Sequence, residues 1–249
     1  MDIIRLQAIE REKAGGGTRI NYIYSCPKKY QKYLRRNAGP LYVEYSEEYD
    51  LSNVPIGILA IPFVANMLTL AMMLDVAIEV PELDCQFAES VQEIEHVYRK
   101  MYPYSRMKFV VNVARKVDCA YIPSELKSLF FTGGLDATSA LAQTVSQKPL
   151  LINIWGGDIS TGDKKSHAHL EQYLRRLTGD IGNSYTFIKS NCREMYNEEK
   201  VTKLWGTKIS PLKNHGWWAN IAHILAMASL VAPIAYTEKN RCSLRRFVL

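Results

Sequence analysis

The hydrophobic positions of this chain change rhythm near residue 123. Before it, the blocks are unlike one another. The first dozen residues read as a polar helix that ends at Gly15-Gly16-Gly17, where φ is unrestricted. Residues 19–25 (RINYIYS) and 41–45 (LYVEY) alternate aromatic or β-branched residues with polar ones, the period of a half-buried strand. An apolar helix is expected from residue 55 to about 74, then a strand at 77–80. A second helix opens at Leu83-Asp84, with Phe87, Val91, Ile94, Val97, Tyr98 and Met101 at three- and four-residue spacing, and Tyr102-Pro103 stops it. A strand near 107–113, and another at 117–121, close this part as an α+β unit.

From residue 123 strand and helix patterns alternate. Strands are expected at 126–131, 149–155 and 185–189, helices at 136–147 and 167–177, then a long helix over 217–231 and a last strand at 234–237. Short links between such elements imply a doubly wound parallel sheet with right-handed crossovers and ligands outside the carboxyl ends of its strands. The expectation is therefore an α/β protein with a smaller α+β domain (1–122) in front of a Rossmann-like domain (123–249).

Two apolar runs, Ile56–Leu74 and 217–236, approach the roughly 20 residues of a membrane span. Pro62, Asn66 and Thr69 interrupt the first and Asn220, His223 and Pro233 the second, and acidic residues rather than Lys/Arg clusters flank the first. Both read as buried helices packed on a sheet, so a soluble protein with no membrane partner is expected.

Composition narrows the classes. Of 249 residues, 47% are hydrophobic and 22% charged, which excludes a disordered chain. The five cysteines are odd in number and form no CxxC pair, so neither a zinc site nor a disulfide framework is expected. The first residues lack the basic and apolar regions of a signal peptide. These features lead to a cytoplasmic expectation. The net charge of +6 suits an acidic ligand without calling for DNA. One basic cluster, residues 28–36, interleaves Tyr30 and Tyr33 with its cations, a pattern able to hold RNA.

Candidate chemistry concentrates in Thr132-Gly133-Gly134-Leu135-Asp136-Ala137-Thr138, between a buried strand and a helix. Paired glycines turn tightly and present consecutive N–H groups, and the helix aims its positive end at the same spot. A polyphosphate would be held there by main-chain donors. Thr132 and Thr138 add hydroxyls, and Asp136 can hold Mg²⁺. The plainer reading is a glycine turn with Asp136 as helix N-cap. Asp158, in Trp155-Gly156-Gly157-Asp158 after the next strand, and Arg193, after the third, are further candidates, as are Lys213, Asn214 and His215 ahead of the long helix. His223, Trp217 and Trp218 read as core or cleft wall, and Asp84 as structural.

Residues Thr132 to Ala137 resemble the SGGxDS loop of the ATP pyrophosphatase (PP-loop, adenine nucleotide alpha hydrolase-like) group. The order LFFTGGLDATSAL, LLINIWGGDI, SNCRE and WWANIAHILAMASLVAPIAY is similar to uncharacterised bacterial members, over residues 123–238. The resemblance implies a HUP-type Rossmann-like domain. It implies that Gly133, Gly134 and the following amides bind the β- and γ-phosphates of ATP, that Asp136 assists Mg²⁺, and that Ile154 to Asp158 lines the adenine and ribose side. The implied activity is adenylation of a small-molecule or RNA substrate with release of pyrophosphate, and Asp136 and Arg193 are the candidate catalytic residues. Two departures are visible: Ala137 stands where the loop has its last serine, and only a short segment, TEKNRCSLRRFVL, follows the last expected strand. They motivate two alternatives, a catalytically impaired nucleotide- or partner-binding module and an RNA-modifying enzyme.

Overall fold

The computed structural model describes residues 1–103, 108–119, 127–209 and 216–237. Its centre is one mixed sheet of eight strands in the order β5-β4-β1-β2-β3-β8-β7-β6. The strands are β1 (Ile3–Ala14), β2 (Gly17–Ser25), β3 (Tyr42–Ser46), β4 (Ala77–Asp84), β5 (Val111–Val117), β6 (Ser128–Phe130), β7 (Leu150–Trp155) and β8 (Tyr185–Ser190). The class is α/β, as the sequence pattern indicates.

The opening segment is a strand, not the expected polar helix. Its register against β2 slips between Leu6 and Ala8, so an extra residue sits in the ladder. That bulge moves the buried side from Ile4 and Leu6 to Ile9, and it leaves apolar residues spaced three apart in sequence. A strand carrying a bulge loses its period of two and imitates a helix. Gly15 and Gly16, both at positive φ, close the hairpin.

The expected apolar helix divides into α1 (Ile56–Leu59) and α2 (Ile61–Leu74), which cross the sheet on its core face. The run Ile56–Leu74 is 94% buried, which makes it the central helix of the core. Its polar interruptions are accommodated inside: Asn66 donates to the carbonyl of Pro62 at 2.7 Å and to Ser229 Oγ at 3.4 Å. α3 (Cys85–Met101) starts where expected, with Asp84 as its N-cap, and connects β4 to the parallel β5. Of the strands expected at 107–113 and 117–121, residues 107, 120 and 121 lie outside the described residues, and the described part forms the single strand β5.

The second half follows its expected rhythm through β6, α4 (Leu135–Thr144), β7, α5 (Lys164–Ile181) and β8. These three strands are parallel and run inward from the edge strand β6. A monotonic order with right-handed crossovers puts both connecting helices on one face. There Leu129, Phe131, Leu141, Leu151 and Leu174 form a small second core. The opposite face of β7 and β8, with Ile152, Ile154 and Ile188, joins the main core. That core also includes residues of α2, α6 (Glu198–Lys208) and α7 (His223–Leu230).

The strand expected at 234–237 is instead helical, in α8 (Ala232–Thr237). Both flanks of β8 are taken, by β7 and by the antiparallel β3, and Pro233 falls in a first helical turn, where its missing N–H costs nothing. The boundary expected near residue 123 falls outside the described residues, and the segments on either side of it share this one sheet through β3 and β8.

The pairings sort the strands by direction. β1, β3, β4 and β5 run one way, and β2, β6, β7 and β8 the other. The carboxyl ends of β6, β7 and β8 therefore lie at the end of the sheet where β2 also leaves it.

Candidate functional site

The glycine loop after β6 is built by its neighbours. Phe131 N donates to the carbonyl of Ile152, and Asn153 Nδ2 donates to the carbonyl of Phe131 at 3.0 Å, so the end of β6 is tied to β7. The chain then turns at Gly133, whose φ of 79° favours glycine, over Tyr173 and Leu170 of α5. Gly134 is the N-cap of α4 and supplies no side-chain cap. Asp136 is therefore not the cap; it lies in the first turn, exposed. With no cap, the leading N–H groups of α4 point outward without intrahelical acceptors. Thr132, Gly133, Gly134, Asp136 and Thr138 are all exposed, and Leu135 is held in solvent at 85% exposure. Thr132 Oγ1 accepts from Gly134 N at 3.4 Å, which orients its hydroxyl inside the loop. Ala137 packs against the small core, so the position of the missing serine faces the sheet rather than solvent.

The loop after β7 lies beside it. Gly156 has φ 112°, and a Cβ there would stand 1.7 Å from the carbonyl oxygen of Ser190, so this loop rests directly on the end of β8. Gly156 N donates to Ile159 O and Gly157 N to Ile154 O. Trp155 Nε1 donates to Ser160 O. Ile154 itself is buried in the main core, so only its backbone reaches this end of the sheet.

Beyond Gly156 and Gly157 opens a polar cavity of about 680 Å³ between the carboxyl ends of β7 and β8 and the segment that follows β2. Asp158 and Arg193, two of the sequence candidates, both line it, as does Arg35 of the basic cluster; Asn37, Glu194 and Glu198 are not among the sequence candidates. Arg35 and Asn37 arrive because β2 exits at this end, a long-range consequence of topology. The Glu194 contacts join loops more than 30 residues apart, which no local spacing reveals.

Two of the cavity's acidic groups are committed. Glu194 accepts from Ser160 Oγ at 2.6 Å, Thr161 N at 2.8 Å and Thr161 Oγ1. Burial opposes its ionisation, but these donors and the nearby charge of Arg35 outweigh it and hold the carboxyl below the ordinary glutamate value. Glu198 accepts a two-pronged pair from Arg193 Nε and Nη2, both at 2.9 Å. Arg193 Nη1 donates to the carbonyl of Gly157 at 3.3 Å, and the guanidinium lies 5.3 Å from the Trp218 ring centre. The Glu198 pairing raises the pKa of Arg193 further, so it is a fixed cation of the wall.

Asp136 and Arg193 belong to loops of β6 and β8, which are separated by β7, about 10 Å across two strand spacings. They face different parts of this end. Lys213, Asn214 and His215 lie outside the described residues. Trp217 and Trp218 are buried, and His223, half-buried, tilts against Trp218 at 6.3 Å. In the basic cluster, Tyr30 donates to Asp2 and Lys29 pairs with the same carboxylate. Lys29 and Lys32 also lie over Tyr30 and Tyr33, so these rings already have cationic partners. Cys192 is fully buried beside Arg193, and burial pushes its thiol up to about 12, far from a neutral-pH nucleophile.

For Mg²⁺, the available protein ligand in the glycine loop is the single exposed Asp136. One carboxylate together with substrate phosphates is the usual way this cation is bound, so the loop fits it. No model of a known protein family matches the chain, and no curated protein and no solved structure matches it either.

Proposed function

We propose that the chain is an ATP- and Mg²⁺-dependent adenylating enzyme of the ATP pyrophosphatase kind, with β6, β7 and β8 forming one half of a HUP-type sheet. The observation that carries this reading is the pair of glycine loops at the carboxyl ends of adjacent parallel strands, the first opening into an uncapped helix N-terminus. In this reading the amides of Gly133 to Ala137 hold the β- and γ-phosphates, and the Thr132 and Thr138 hydroxyls add donors. Asp136 would hold the Mg²⁺, which would supply charge neutralisation for the pyrophosphate. The backbone of Ile154 to Gly157 borders the adenosine. An acceptor oxygen attacks the α-phosphorus, the bond to the β-phosphate oxygen breaks, and pyrophosphate departs. The protein's part is positioning and charge stabilisation, which needs no buried general base.

The test is incubation with [α-³²P]ATP, Mg²⁺ and candidate acceptors. AMP with pyrophosphate is the expected product pair. ADP with inorganic phosphate, or absence of ATP binding, would refute the assignment. Asp136→Ala is expected to lower turnover at least 100-fold with an unchanged Tm, because Asp136 is exposed. A second reading, a nucleotide-binding module without turnover, is favoured by one observation: Arg193 already has a full partner in Glu198. It predicts ATP binding with no AMP formed.

A further inference from the structure

We propose that the polar cavity at the ends of β7 and β8 binds a small zwitterion of the α-amino-acid class, its carboxylate toward Arg35 and its ammonium group toward Asp158. Its role as the acceptor rests on the adenylation reading above; the binding itself does not.

The argument starts from which groups are already used. Glu194 is saturated by Ser160 and Thr161, and Glu198 by Arg193. Three polar side chains of the wall remain: Arg35, Asn37 and Asp158, all exposed. None forms a side-chain hydrogen bond or ion pair among the described residues. Arg35 and Asp158 are opposite charges bordering one cavity, yet they do not pair with each other. They also stand beside different neighbours. The charge of Arg35 is felt at Glu194 and that of Asp158 at Arg193, which places the two free charges against the two committed pairs.

Electrostatics then selects the ligand. The wall carries two cations, Arg35 and Arg193, against three carboxylates, Asp158, Glu194 and Glu198. A ligand bearing only negative charge meets a wall with an acidic surplus, and one bearing only positive charge buries Arg35 without a partner. Each case leaves one of the two free side chains without a group of opposite charge on the ligand. A molecule with one charge of each sign satisfies both free groups, and Asn37 offers both a donor and an acceptor to its remaining polar atoms. The floor suits a small ligand as well. It is glycine backbone at 156 and 157, held rigid by the contact with Ser190 and by the Glu194 tie, so little ordering is needed on binding.

The experiment is calorimetric titration of the full chain, without nucleotide, with the twenty L-α-amino acids, followed by the amide and N-acetyl derivatives of any that bind. At least one amino acid is expected to bind, and blocking either charge should weaken it roughly 10-fold or more. Arg35→Gln should abolish the preference for the free carboxylate over the amide, and Asp158→Asn the preference for the free amine over the N-acetyl form. Both residues are exposed and unpaired, so an unchanged Tm is expected and checks the fold. Absence of binding by all twenty, or equal binding of the blocked derivatives, overturns the proposal. Amino-acid binding without AMP formation upholds this site while refuting adenylation. AMP formation on an acceptor that lacks an amino-acid group, with a KM unmoved by Arg35→Gln, does the reverse.

Discussion

At residue 156 the backbone sits at a φ of 112° with the Ser190 carbonyl where a side chain would begin. Gly156→Ala therefore combines an unfavourable backbone region with a clash against main chain, which cannot swing aside. A loss of about 2 kcal/mol or more in urea unfolding is expected. Gly179, with open space around its Cβ and in the last turn of α5, is the control: Gly179→Ala should gain a few tenths of a kcal/mol, up to about 1. His167 offers a pH-dependent counterpart. Its ring stacks on Trp155 at 3.8 Å and leans on Phe187, and burial first, with Lys189 adding to it, lowers its pKa despite the opposing pull of Glu171. A depressed histidine leaves stability intact above its unfolded value near 6.5, and that stability is lost as pH falls through the folded value. Tm should decline as pH drops below about 6.5, and His167→Phe, which keeps the stack, should flatten that part of the curve. An equal decline in the variant would remove His167 as its cause. Of the individual site residues, the glycines and Asp136 were legible in the sequence because turn chemistry is local. That Ile154 faces the core was legible only in part, since a fully buried strand shows no alternation to reveal its faces.

Among the elements, helix α3 shows how a local signal and a distant one combine. Asp84 caps it by accepting from Phe87 N at 2.9 Å, and its other oxygen accepts from Cys119 N at 3.3 Å, beyond the end of β5. Asp163 caps α5 by accepting from Ser166 N at 3.0 Å, within its own first turn and at an exposed position. Asp84→Ala should therefore cost about 2 kcal/mol, and Asp163→Ala about 1 kcal/mol, in urea unfolding. Equal costs would show that the Cys119 contact contributes nothing. Both helices were readable from the spacing of their apolar residues. Two elements, the first and the last, depart from their expected type for physical reasons. The bulge in β1 shifts the buried face partway along the strand, and the last segment has the composition of a strand but folds as α8, with Pro233 in its first turn. Periodicity reports which face is buried; it does not report which neighbour a segment meets.

On the scale of the whole molecule, β3 against β8 turns two stretches of sequence grammar into one sheet. Its pairings include a polar ladder on the outer face, where Arg19, Glu44 and Lys189 stand side by side on β2, β3 and β8. On the inner face, Tyr45 of β3 donates to the carbonyl of Leu230 at the end of α7, and Tyr196, after β8, to that of Asn66 in α2. Unfolding should accordingly be a single transition. The four tryptophans, 155, 205, 217 and 218, all lie after residue 123, so their fluorescence follows that half while far-ultraviolet dichroism follows the whole chain. Coincident urea midpoints are expected; separated midpoints would restore a division near residue 123. The alternation of strand and helix indicated the α/β class, but the antiparallel seam at β3 and β8 was invisible because neither strand carries a signal naming its partner.

That seam also divides responsibility for recognition. Because β2 runs in the same direction as β6, β7 and β8, the front of the chain delivers Arg35, Asn37 and Ala38 to a cavity whose remaining lining comes from the back. Under the proposed reading, exchanging the short stretch after β2 would alter the Arg35 and Asn37 side of the cavity while leaving the glycine loop at 132–138 in place. The stretch with Arg35 and Asn37 and that glycine loop would therefore serve one end of the sheet from segments about a hundred residues apart in the chain.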